Sequence, residues 1–179
     1  MKIYTKTGDR GDTRLFDGTK TRKDDPRVDA YGDVDELNSF IGAVTAWLTD
    51  TVLIAMLLDI QRDLFSVGAQ LANPKSATDK NERSRVDPRR IVVLEEAIDR
   101  FETELPPLRQ FILAGGCPAG AMLHVARTVC RRAERRVVAL AVNVSVDETV
   151  IRYLNRLSDF LFVLARLVNH RQDQQENPW

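Results

Sequence analysis

The stretch "VIRYLNRLSDFLFVLARLV", residues 150–168, decides the fold. Val150, Leu154, Leu157, Leu161, Leu164 and Val168 recur in it at steps of three and four. A helix turns once every 3.6 residues, so this spacing gathers them into one apolar stripe, the face a helix buries. Ser145 with Glu148 three residues later has the capping-box pattern and places the helix start there. The opposite face carries Arg152, Asn155, Arg156 and Asp159. An amide and a carboxylate four residues apart beside such a stripe exceed what solubility requires.

Four more stripes lie upstream. Leu123, Ala126, Cys130, Ala133, Val137 and Leu140 define a fourth helix around "ARTVCRRAERRVV". A third runs Ile91, Leu94, Ile98, Phe101, Leu105, with Asp87 as cap, Pro88 at the first position and Pro106-Pro107 as its end. The second runs Leu53, Leu57, Ile60, Leu64, Val67, Leu71 from a cap at Asp50 or Thr51. The first runs Val34, Leu37, Ile41, Val44, Leu48 from Asp33 and Glu36. Helices of matched length, about 25 to 35 Å at 1.5 Å per residue, joined by short turns pack as antiparallel neighbours. The expected fold is all-α, a five-helix antiparallel bundle over residues 33–170, with no competing strand pattern. The polar "NPKSATDKNERSR" (73–85) reads as a mobile surface loop, and the tail at 171–179 as a polar end that frays.

The fourth helix concentrates positive charge. Arg127, Arg131 and Arg135 stack at four-residue steps, with Arg132 and Arg136 in a second row. Like charges so placed repel by a few tenths of a kcal/mol per pair. The rows are therefore either a solvated face partly neutralised by Glu134 or a grip for a polyanion. Guanidinium forks bind phosphate oxygens bidentately, and a neighbouring fifth helix would add Asn155 and Asp159 to one groove. The connection "FILAGGCPAGAMLH" (111–124) either plugs the bundle end or walls a ligand pocket with Phe111. His124 reads as a satisfied, partly buried histidine, and with only His170 besides it makes no metal site.

Composition narrows the class. The 179 residues are 44% hydrophobic and 29% charged, enough for one domain with one core. Lys plus Arg (26) equals Asp plus Glu (26), which gives no argument for nucleic acid or an anionic membrane, and neither is expected as a partner. Cys117 and Cys130 have neither redox nor zinc spacing, and nothing resembles a signal peptide or a membrane span. A cytoplasmic location follows as the expectation.

The chain begins differently. "YTKTGDRGDTRLFDG", residues 4–18, is polar and glycine-punctuated, and with the residues up to 25 it forms an arm that cannot feed a core. Gly8 and Gly11 permit positive φ and close approach, Thr5, Thr7 and Thr13 offer hydroxyls, and Lys6 and Lys23 offer charge. Such a loop is either a tail or a cradle whose N–H groups receive phosphate, although it is not a Walker A sequence.

"YTKTGDRGDT", "KDDPRVDAYGDVDELNS", "FILAGG", "ARTVCRRAER" and "LNRLSDFLFVLAR", in this order, resemble the ATP:cob(I)alamin adenosyltransferases of the propanediol-utilisation type. The resemblance implies transfer of the 5′-deoxyadenosyl group of ATP to cobalt(I) of cob(I)alamin or a corrinoid precursor, releasing triphosphate with Mg²⁺ assisting. It implies a homotrimer with active sites at subunit interfaces. Thr5, Lys6, Thr7, Gly8, Thr13, Arg14 and Lys23 would fold over ATP. Arg131, Arg132, Glu134 and Arg135 would hold its triphosphate, metal and ribose region, with Glu134 at the metal and Asn155 completing the pocket. Asp35 would pair with Arg127 between subunits. Phe111 would lie below the corrin ring, and Asp159, on the corrinoid side, would help hold an arginine.

Two positions depart from the family pattern: Ala114 where proline is common, and Asp12, an added carboxylate in the phosphate arm. A flavoprotein reductase and an adenosylcobalamin-dependent client enzyme are the further partners this chemistry implies. The competing reading is an ATP-responsive protein that delivers adenosylcobalamin without making it. A purely structural helical oligomer leaves the arginine rows and the arm unexplained.

Overall fold

The computed structural model describes residues 3–4, 6–75 and 85–179. Its five helices are α1 (Pro26–Thr45), α2 (Thr51–Ala72), α3 (Arg89–Glu102), α4 (Pro118–Ala141) and α5 (Glu148–Arg171). α1 packs against α2 and α4, α4 against α5, and α5 against α3. The apolar stripes form one core; Leu48, Ile98 and Leu105 are only partly buried at its margin. α5 goes further than one stripe. Every residue from Val163 to Asn169 is buried, including Arg166 and Asn169, so this stretch of its second half is enclosed all round.

Helix starts follow local hydrogen bonding, and three differ from the sequence expectation. Asp25 caps α1 by accepting from Arg27 N at 2.8 Å, with Pro26 at the first position. Asp33 and Glu36 therefore lie inside the helix. α5 is capped by Asp147, which accepts from Thr149 N at 2.9 Å, rather than by Ser145. A carboxylate there satisfies a free N–H and also favours the positive end of the helix dipole. Asp50 caps α2 as expected, accepting from Val52 N and Leu53 N. α3 starts one residue later than expected, with Pro88 in the cap position and making no capping bond. Asp87, one residue before it, accepts from Arg89 N at 2.9 Å, and the helix stops at Glu102, short of Pro106. Buried Arg27 donates from Nη1 to Leu71 O at 2.6 Å, taking up a carbonyl at the end of α2.

Two polar segments are more ordered than their composition predicts. The arm contains an antiparallel hairpin, β1 (Asp12–Arg14) paired with β2 (Lys20–Arg22). Strands of three residues are too short for alternation to show in sequence. Phe16 N donates to Ala72 O at 3.0 Å, which ties the hairpin to the end of α2. The segment after α5 does not fray. Asp173, at φ +54, turns the chain with bonds from Gln174 N to Asn169 O and Asp173 N to His170 O, the pairing of a Schellman turn. The returning residues pair with the 111–113 connection through Leu113 N to Asn177 O (2.8 Å) and Trp179 N to Phe111 O (2.9 Å). Of the expected 73–85 loop, residues 76–84 lie outside the described residues.

The "GGCPAG" segment is shaped by Asn169. Its side chain accepts from Cys117 N at 3.0 Å and donates to Gly115 O at 2.9 Å. A Cβ on Gly116 (φ +103) or Gly120 would collide with that amide. Cys117 caps α4, and both cysteines are free and buried. His124 is buried with Nδ1 unpartnered, so it is not the satisfied histidine expected from sequence. Among the described residues no helix is long and apolar enough to cross a membrane.

One polar node joins three helices across the bundle. Asp63 Oδ2 accepts from Tyr153 OH on α5 at 2.9 Å and from Arg90 Nε on α3 at 2.7 Å. Burial pushes the Asp63 carboxyl up, against the pull of Arg90 and Tyr153. Replacing Asp63 with Ala leaves the fully buried Tyr153 hydroxyl and the half-buried Arg90 without their acceptor. We expect a loss of about 2 to 4 kcal/mol, read as a lower midpoint in denaturant at unchanged slope.

Candidate active site

α4 and α5 run antiparallel, which brings their polar faces together beside the core. A cleft of ≈ 390 Å³ opens there, lined by Arg131, Glu134, Arg135 and Asn155 over an apolar floor of Val138, Ala139 and Val142. Asn155 Nδ2 donates to Glu134 Oε1 at 3.0 Å and fixes the carboxylate. Arg131 and Arg135 form no ion pair among the described residues. The second arginine row does the opposite. Arg132 binds Glu36 and sits 3.3 Å from Asp33, and Arg136 lies 3.9 Å from both Asp29 and Asp33, all on α1. Arg156 donates to Glu95 at 2.9 Å and to Asp159 at 2.6 Å. Of the residues expected to share one groove, Arg132 and Asp159 thus lie outside the cleft. The acidic run on α1, with Asp29, Asp33 and Glu36 at helical spacing, was the unused signal that one row would be neutralised.

The arm encloses an open cavity of ≈ 840 Å³ whose lining includes Lys6, Thr7, Gly8, Thr13, Arg14 and Lys23. Thr5 lies outside the described residues. Arg10 and Lys20, not singled out from sequence, add two more cations. Lys20 Nζ stands 2.7 Å from Asp12, so the extra carboxylate is compensated across the hairpin. Gly8 lets the arm close: a Cβ there would meet Asp12 O at 3.1 Å and the Lys23 ammonium at 3.5 Å. Lys6 holds φ +58, a left-handed conformation rare outside glycine and typical of strained functional loops.

The arm cavity and the α4–α5 cleft share no lining residue. Both lie at one end of the bundle, because Arg136 near the end of α4 meets Asp29 near the start of α1. Arg131 is about 20 Å along the axis from the start of α4, counted at 1.5 Å per residue; Phe111, on the connection that leads into that start, is 80% exposed. Between them Arg127 is half-buried with its Nε unpartnered and its guanidinium 5.9 Å from the Phe162 ring. Burial, and then the neighbouring Arg131, push its pKa down. Asp35 is exposed on α1, beside a largely apolar groove that includes Phe65.

Comparison with known proteins assigns this architecture. The cobalamin adenosyltransferase family model matches residues 3–168, from the arm to the last turns of α5. The chain belongs to the cobalamin adenosyltransferase family. The corrinoid adenosyltransferase of Bacillus subtilis is 49% identical over 175 residues, covering 96% of this chain and 88% of the relative. The corrinoid adenosyltransferase PduO of Salmonella typhimurium is 45% identical over 93% of this chain, which spans about half (49%) of that relative. Among solved structures, a phenylalanine-to-alanine variant of the PduO-type ATP:corrinoid adenosyltransferase from Lactobacillus reuteri, complexed with cobalamin and ATP, superposes with TM-score 0.91. It is 40% identical, and coverage is 99% of both chains. An arginine-to-lysine variant of the Lactobacillus reuteri protein, complexed with ATP, gives TM-score 0.90 at 39% identity.

The unpaired guanidiniums of the α4–α5 cleft are suited to a polyphosphate. Inorganic triphosphate should bind there, and Arg131→Ala should weaken it roughly tenfold to a hundredfold, the range for a lost charge-assisted hydrogen bond. Titration calorimetry on both proteins checks this. The helix itself should persist, since alanine is the better helix former.

Proposed function

We infer that this chain transfers the 5′-deoxyadenosyl group of ATP to the cobalt(I) of cob(I)alamin or a corrinoid precursor, giving the adenosylated corrinoid and triphosphate. The observation that carries the reading is the pair of unneutralised arginines, Arg131 and Arg135, in the cleft with Glu134 and Asn155, in a chain of this family. Cobalt(I) donates an electron pair to C5′ of ATP. The C5′–O bond breaks, its electrons leave on triphosphate, and cobalt becomes formally cobalt(III). No general base is needed; what limits the step is orientation and the charge growing on the leaving group. Arg131 and Arg135 would stabilise that charge, and Lys6, Arg14 and Lys23 of the arm would close over the phosphates. Thr5, Thr7, Gly8 and Thr13 would supply the arm's remaining polar contacts.

Magnesium commonly takes one or two carboxylates together with substrate phosphate oxygens. Glu134, held by Asn155 inside the cleft, fits as the one protein ligand such an ion needs. When bound, the ion would neutralise part of the triphosphate charge.

Because the arm and the cleft share no residue, a site using both is best completed by a second copy. Arg127 carries a buried Nε without a partner, and Asp35 is an exposed carboxylate beside a largely apolar groove. Pairing of these two groups between copies would fit a homotrimer with active sites at the subunit interfaces. Arg132 and Asp159, paired within this chain to α1 and to Arg156, would act as supports and not as direct contacts. The chemistry calls for a reductant, a flavoprotein being the natural class, and for an adenosylcobalamin-dependent client enzyme. A cytoplasmic setting fits these partners.

Phe111 would face the corrin on its lower side, excluding water and the cofactor's own base and so favouring a four-coordinate cobalt(II) that is easier to reduce. Incubation with ATP, Mg²⁺ and chemically reduced cobalamin should yield the cobalt–carbon bond and free triphosphate; a delivery protein would yield neither. Phe111→Ala should depress turnover sharply when cobalt(II) must be reduced in place and much less when cobalt(I) is supplied, with ATP affinity unchanged. Equal loss in both assays would refute its role. Asp35→Asn should lower the trimer fraction in native mass spectrometry; an unchanged assembly would rule out the Asp35–Arg127 contact.

A further inference from the structure

Phe111 sits on a connection with no secondary structure of its own, yet the chain restrains that connection at three points. Near its start, Arg166 Nη2 donates to Pro106 O at 2.8 Å. At its end, Asn169 holds Gly115 O and Cys117 N. At Phe111 itself, the chain after α5 supplies the restraint, pairing Pro178 with Ile112 in an antiparallel bridge and donating from Trp179 N to Phe111 O. That returning segment is in turn fixed by Glu176, which accepts from Arg166 Nε at 2.6 Å and Nη2 at 3.3 Å. Arg166 is only 4% exposed, so the Glu176 carboxylate is the partner that a buried guanidinium requires. All three restraints come from the last turns of α5 and the segment that follows it. Asn169 and Glu176 both lie past residue 168, where the family match ends.

We propose that residues 174–179 are a positioning strap for Phe111, latched by the Glu176–Arg166 ion pair. The strap fixes the backbone on which the Phe111 ring stands and so sets how well that ring excludes a lower ligand from cobalt(II). Phe111 is 80% exposed, so little side-chain packing holds it, and backbone pairing is what remains to place it. Glu176 is a positioning residue in this scheme: it contacts neither nucleotide nor corrinoid. The proposal rests on the reading of Phe111 as the corrin-facing residue.

Glu176→Ala tests it, together with a deletion of residues 177–179 that removes the strand pairing but leaves the ion pair intact. The deletion guards against loss of folding, since it leaves no buried charge unpaired. Hydrogen exchange at the Leu113 amide, which pairs with Asn177 O, should accelerate about tenfold or more in both variants. Bound cobalt(II) should lose its four-coordinate spectroscopic signal in both, while ATP affinity stays unchanged because neither variant touches a residue lining the α4–α5 cleft, and Arg131 stands about 20 Å along α4 from the end of the helix that the connection enters. Unchanged Leu113 protection in both variants overturns the proposal. So does lost protection with an unaltered cobalt(II) spectrum, provided Phe111→Ala does alter that spectrum. If Phe111→Ala leaves the spectrum unaltered, the corrin-facing reading of Phe111 fails and the strap's role at cobalt falls with it.

Discussion

The enclosure of α5 is the constraint on which the rest depends. A helix buried on all sides from Val163 to Asn169 must satisfy the polar groups it carries there, and Arg166 and Asn169 do so by gripping the chain that passes over them. The cost of leaving either unpaired makes the Phe111 connection and the segment after α5 parts of the folded core's hydrogen bonding instead of loose ends. The first half of α5, by contrast, keeps a polar face. That face meets the polar face of α4 and becomes the cleft.

Charge is distributed by the same packing. α4 presents two arginine rows, and its contact with α1 neutralises one of them with Asp29, Asp33 and Glu36. In the other row Arg131 and Arg135 have no carboxylate partner among the described residues and stand next to a carboxylate fixed by an amide. A chain whose charges balance overall therefore holds a local excess of positive potential where a triphosphate can use it. The arm adds a second cluster of cations; of the two acids among its cavity's lining residues, Asp9 and Asp12, the latter is compensated by Lys20.

Much of this was legible in residue order. The five apolar stripes identify the helices because burial demands a 3.6-residue period, and Asp50 is the cap its position implies. The arginine rows, Asn155 and the glycine arm could be read as phosphate chemistry because the residue types carry it. Helix starts were less legible where several cap-competent residues compete, as Ser145 and Asp147 do, since only backbone conformation chooses between them. The hairpin was hidden by its brevity. Asp63 was hidden too: one aspartate in α2 has no pattern that announces Tyr153 and Arg90 as its donors.

Local periodicity and side-chain chemistry thus determined, without any structure, that this chain is a helical bundle carrying a polyphosphate-suited arginine face and a polar arm. Tertiary structure decided which arginines stay free, because neutralisation depends on the helix packed opposite. It decided that the polar segment after α5 is ordered, because Glu176 meets Arg166 only once α5 is buried. It decided as well that the His124 Nδ1 and the Arg127 Nε lie buried without partners among the described residues. Each of these outcomes depends on residues that helix packing brings together across the bundle, beyond the reach of the local patterns that specify a helix.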